Sequence, residues 1–122
     1  MHNPILLDHF QNPRNVGALP PPAVIVEANN PACGDIMQLS LLVDQDLIRD
    51  VRFKTRGCVA AIACGSILSE LIKGKSLEDA RRVTAADVAK ALGGLPPESG
   101  HASILAEDAL KAASKAAETI RR

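Results

Sequence analysis

Apolar and polar residues alternate along three successive stretches of the chain, "AVIVEANN", "IMQLSLLVD" and "LIRDVRFKT". A period of two, rich in β-branched residues, predicts three strands whose alternate side chains face a core. Asp44-Gln45-Asp46 is a short hairpin connection, so the strands are expected to pair antiparallel. After Gly57 the period lengthens: Ala60, Cys64, Ile67, Leu68 and Leu71 recur at helical spacing up to the stop at Gly74. Ahead of the strands, Ile5, Leu6, His9 and Phe10 predict a short helix that breaks at Asn12-Pro13, followed by a stiff connector through Pro20 to Pro22. "SLEDARRV" and "TAADVAKAL" each open with Ser or Thr and carry an acid three residues on, the signature of a helix cap. The final stretch, "HASILAEDALKAASKAAETIRR", is an alanine-rich helix with acids early and bases late, matching the helix dipole. One helix, three strands and then helices only define an α+β fold: a three-stranded antiparallel sheet covered by helices, with a short N-terminal and a long C-terminal helix.

Composition narrows what such a fold can do. With 122 residues, 47% of them hydrophobic, the chain is expected to form one domain over residues 1–122. Fourteen bases balance fourteen acids and only two residues are aromatic, which argues against nucleic acid as a partner. No apolar run approaches the roughly 20 residues of a membrane helix, and "MHNPILLDHF" has no signal-peptide pattern, so a cytoplasmic protein without a membrane partner is expected. Three cysteines are too few, and of the wrong parity, for a disulfide framework.

The candidate chemistry lies at the ends of the predicted elements. Cys33 and Asp35 occupy the turn between the first two strands, Cys58 the junction of the third strand with its helix, and His101 the start of the last helix. Sulfur, nitrogen and oxygen donors in a group of four suit tetrahedral zinc or the irons of an iron-sulfur cluster. Gly34 and Gly57 would let the backbone turn closely around such an ion. Spacing alone leaves the alternatives open: a turn thiol at Cys33, a turn-forming Asp35, a small residue at a helix start for Cys58 and a helix-entry imidazole at His101. Cys64 is read differently. It lies about 9 Å along the helix from Cys58, on the apolar stripe, and is expected to be a buried thiol. Arg52, Lys54 and Arg56 share one strand face that leads into Cys58.

At these residues the chain resembles the U-type iron-sulfur cluster assembly scaffolds: IscU, SufU and the amino-terminal domain of NifU. "DHFQNPRNVG", "NPACGDIMQL", "FKTRGCVAAIACGSILSELIKGKSLEDA" and "LPPESGHASILAEDALKAA" follow the family's segments in order over essentially the whole chain. The resemblance implies that Cys33 and Cys58 ligate a [2Fe-2S] cluster, or alternatively zinc. It also implies that Asp35 tunes cluster lability or serves as a further ligand, and that His101 lies at the same site. It implies a noncatalytic scaffold or carrier, a monomer or cluster-bridged dimer, that receives sulfur from a cysteine desulfurase and passes its cluster to apo iron-sulfur proteins or carrier proteins. Two departures stand out. Where the family usually reads His-Cys this chain reads His101-Ala102, so the third cysteine is absent. The segment gripped by the family's dedicated Hsp70 chaperone is here "LPPES", acidic where it is usually basic, which argues against that partner. A second reading follows from the lost cysteine: a zinc-binding sulfur-transfer or regulatory protein working with a cysteine desulfurase.

Overall fold

The computed structural model describes residues 3–31 and 34–121. Helix α1 (Pro4–Gln11) starts where the Asn3 side chain accepts from the backbone of Ile5 and Leu6, with proline at the first position, where no N–H is missed. The same Asn3 side chain donates to the carbonyls of Leu92 and Gly94 at 2.7 and 3.1 Å, tying this helix start to a loop about ninety residues away. Of the four α1 residues expected to face inward, Leu6 and His9 are buried, Phe10 is half-buried and Ile5 is exposed. The helix packs along α2 by one edge, so its inward stripe is narrower than the sequence pattern.

Three strands form one antiparallel sheet in the order β1 (Val24–Asn29), β2 (Ile36–Asp44), β3 (Leu47–Arg56). Gln45 and Asp46 both adopt positive φ, 53° and 66°, the primed turn whose twist suits a two-residue hairpin. Cross-strand rows Val26–Leu39–Phe53 and Val24–Leu41–Val51 line the inner face. The opposite face carries Glu27, Gln38, Lys54 and Arg56. Residues 15–17 run beside β3, with Gly17 donating to the Phe53 carbonyl and Phe53 to that of Asn15.

Helix α2 (Val59–Ile72) packs on β3 and between α1 and the last helix, and ten of its fourteen residues are buried. Its burial therefore extends well beyond the predicted stripe. Gly65 is the point of closest approach: a Cβ there would lie 2.5 Å from the Phe53 ring. Ser76 and Thr84 cap α3 (Leu77–Ala80) and α4 (Ala85–Ala91), and Thr84 forms a full capping box with Asp87. After a single 3-10 turn at Pro97–Ser99, α5 (Gly100–Arg121) runs across β1 and β2. Among the described residues no helix is long and apolar enough to cross a membrane.

Candidate metal centre

Three segments far apart in sequence meet at the end of the sheet. Asp35 immediately precedes β2, after a loop closed by Gly34 N–H to the Asn30 carbonyl at 2.7 Å and Asn30 N–H to the Asp35 carbonyl at 2.9 Å. Gly34 takes φ +76°, open to glycine without strain. Cys58 is the N-cap of α2, in extended conformation, with its side chain free of any capping bond and exposed. His101 is the second residue of α5, with its side chain one-third exposed.

The imidazole faces both other groups. Its Nε2 lies 3.7 Å from Asp35 Oδ2 and 3.9 Å from Cys58 Sγ, and all three donor atoms fall within 4.8 Å of one another. Ligands at bond lengths of about 2.0–2.3 Å around a tetrahedral ion stand about 3.3–3.8 Å apart, so the spacing fits one ion with small adjustments. Asp35 makes the case sharper. Its carboxyl is nine-tenths buried, yet among the described residues Oδ2 has no hydrogen-bond donor. A buried carboxylate oxygen left without a partner is costly, and a cation bound beside Cys58 and His101 would supply the missing partner. Among the described residues this is the one group of three metal-ligating side chains brought so close. The donors are one soft thiolate, one imidazole and one carboxylate, a set suited to zinc or iron. Of the four expected ligands, Asp35, Cys58 and His101 converge; Cys33 lies outside the described residues.

Neighbouring residues sort clearly. Cys64 is completely buried on α2, and burial pushes its thiol up to about 12, with Cys58 adding a smaller rise. It is packed in the core, as expected. Ala102, where the resemblance leads one to expect a cysteine, is fully buried against the core. In the basic run, the Arg52 guanidinium is taken by Asp50 and by the Val51 carbonyl, while Lys54 and Arg56 stand exposed. Two apolar side chains beside the site are also exposed: Val59, next to Cys58, and Ile104, one helical turn beyond His101. Neither was marked by the sequence pattern, because an outward-facing apolar residue keeps no period. Gly57 was expected to ease a backbone turn, but its φ is not in the left-handed range. What surrounds it instead is the Asp35 carboxyl, whose atoms would lie 2.6–2.9 Å from a Cβ at this position.

The family model described as the NifU-like N terminal domain matches residues 1–121. The chain belongs to this family. Among its relatives, iron-sulfur cluster assembly scaffold protein IscU 1 of Archaeoglobus fulgidus is 46% identical over 113 residues, covering 93% of this chain and 74% of the relative. The IscU protein of Rickettsia prowazekii is 49% identical over 112 residues, covering 88% and 85%. The SufU crystal structure from Fervidobacterium islandicum AW-1 superposes with a TM-score of 0.78 over 93% of this chain and 96% of that one; at 22% identity it speaks for the shared fold.

Proposed function

We propose that this NifU-like chain, as one scaffold domain over residues 1–122, holds a labile [2Fe-2S] cluster as cargo and passes it to apo iron-sulfur proteins or carriers. Cys33, Asp35, Cys58 and His101 are the ligands in this reading, and a cysteine desulfurase is the sulfur source. The observation that carries it is the buried Asp35 Oδ2, without a hydrogen-bond donor among the described residues and grouped within 4.8 Å of Cys58 Sγ and His101 Nε2. Relatives named as iron-sulfur cluster assembly scaffold proteins support the same role. A carboxylate is a harder and poorer partner for a cluster than a thiolate. One such ligand beside two cysteines fits a site built to let its cargo go.

Each residue has a part in that work. Exposed Cys58 is open to incoming sulfur, and with Ala102 in place of a cysteine any persulfide forms on Cys58 or Cys33. His101, one-third exposed at the head of α5, can hold an iron through Nε2, the nitrogen that faces Asp35 and Cys58. The mixed donor set and its near-tetrahedral spacing favour zinc as the resting occupant, which leaves a zinc-binding sulfur-transfer or regulatory role as the second reading. The deciding experiment is anaerobic reconstitution with iron and sulfide, followed by visible spectroscopy and metal analysis before and after. The wild type is expected to gain cluster absorption, Cys58→Ser and His101→Ala to lose most of it, and Cys64→Ser to retain it. Zinc retained throughout, with no cluster formed, would favour the second reading; loss of metal only in Cys64→Ser would overturn the ligand assignment.

A further inference from the structure

Gly57 has none of the usual backbone reasons to be glycine. Its φ lies outside the positive range adopted by Gly17, Gly34, Gly74, Gly93 and Gly94, so an L residue fits its backbone. What a side chain would meet first is the Asp35 carboxyl. A Cβ built on Gly57 would stand 2.6 Å from Asp35 Cγ, 2.8 Å from Oδ1 and 2.9 Å from Oδ2, closer than carbon and oxygen pack without displacement. The three nearest atoms all belong to that one carboxyl group, which also faces Cys58 and His101. Gly34, beside Asp35 in sequence, presents the opposite case: φ +76° with nothing within 4 Å of a Cβ.

We infer that Gly57 is the positioning residue of Asp35: the missing side chain is the space in which the carboxyl stands, and filling it turns Asp35 out of the metal centre. This rests on the placement of Asp35 among the ligands. Asp35 has a short side chain that rotates about χ1, so a methyl group at position 57 displaces the carboxyl more readily than it displaces β3 or α2. The fold survives, and the cost falls on the geometry of the site. Gly57 directly precedes the Cys58 ligand, so the backbone that presents the thiol also leaves room for the carboxylate.

The test is a double-mutant cycle with two readouts: zinc affinity, measured by competition with a chromophoric chelator, and thermal unfolding of the metal-free protein. Asp35→Ala and Gly57→Ala are each expected to weaken zinc binding by about tenfold or more, as loss of a ligand or its orienting neighbour does. The Asp35→Ala/Gly57→Ala pair is expected to bind no more weakly than Asp35→Ala alone. In the metal-free protein, Gly57→Ala should lower Tm in the wild-type background and leave it unchanged, or raise it, once Asp35 is alanine. Gly34→Ala is the control, because its backbone cost should persist in both backgrounds. Additive losses in the double variant, or wild-type zinc affinity in Gly57→Ala, overturn the inference. If Asp35→Ala binds zinc like the wild type, Asp35 is no ligand and the proposed site is wrong. The Tm coupling still decides, on its own, whether Gly57 makes room for Asp35.

Discussion

Cys58 and Cys64 lie six residues apart and live in different chemical worlds. Cys58 caps α2 with its thiol exposed, whereas Cys64 is sealed among Ala60, Ala61, Leu68 and the rest of the core. Burial raises the Cys64 thiol to about 12, so almost none of it is thiolate near neutral pH, and the thiolate is the reactive form. Alkylation with iodoacetamide at pH 8, read by peptide mass spectrometry, should therefore modify Cys58 in the native metal-free protein and reach Cys64 only in denaturant. Native labelling at Cys64 at a rate like that of Cys58 would show that α2 opens or that the thiol is not sealed. The periodicity of α2 made Cys64 legible in the sequence, because a residue on an apolar stripe is packed by its neighbours in the same helix. Gly57 was only half legible. Glycine before Cys58 announced a special position, but the reason, a carboxyl from a loop more than twenty residues earlier, is a tertiary contact with no local signature.

At the scale of elements, the strands, the hairpin and the caps were legible because each is specified within a few residues. Alternation sets the faces of β1 to β3, Gln45-Asp46 tolerate positive φ, and Ser76 and Thr84 bond backbone amides three residues on. The burial of α2 was less legible, since a helix covered on nearly all sides is defined by what surrounds it. Its approach to β3 depends on Gly65, where a Cβ would lie 2.5–2.6 Å from ring carbons of Phe53, itself 2% exposed. Neither partner has room to yield: the ring is enclosed and the helix is held from the other side by α1 and α5. Gly65→Ala should thus destabilise the protein by about 1–3 kcal/mol, the range for overpacking a core, despite the higher helix propensity of alanine. Urea unfolding measures this directly. Phe53→Leu in the same chain should restore part of the loss, and equal stability of Gly65→Ala and wild type would mean that the two elements pack less tightly than described.

Across the whole molecule, the candidate metal centre and the core share α2. Its N-terminus presents Cys58, and its middle turn holds a buried polar cluster that anchors the first helix and the segment after it. The Ser66 hydroxyl accepts the Arg14 backbone N–H at 2.9 Å and meets His9 Nδ1 at 2.7 Å, where its own hydrogen is available to the imidazole. A neutral ring with its hydrogen on Nε2 matches both contacts, with Nδ1 accepting from Ser66 and Nε2 facing Glu70 Oε1 at 3.4 Å. Burial, followed by the nearby Arg14 cation, holds the His9 pKa below its ordinary value of 6.5, against smaller opposing effects of Glu70 and Asp8. The consequence for stability has a definite sign. As pH falls through about 6.5 the unfolded chain takes up a proton at His9 while the native chain resists it, so stability declines until the native group also titrates. His9→Asn keeps an acceptor where Nδ1 stood and removes the titration. The variant should be less stable at pH 8, yet its urea midpoint should fall less steeply between pH 7 and pH 5 than that of the wild type. Comparing the two chains cancels contributions from the other histidines and from the candidate ligands, which both share. Parallel midpoint curves would mean that His9 takes its proton as easily in the folded protein as in the unfolded one, and that the Ser66 clamp does not depend on a neutral ring.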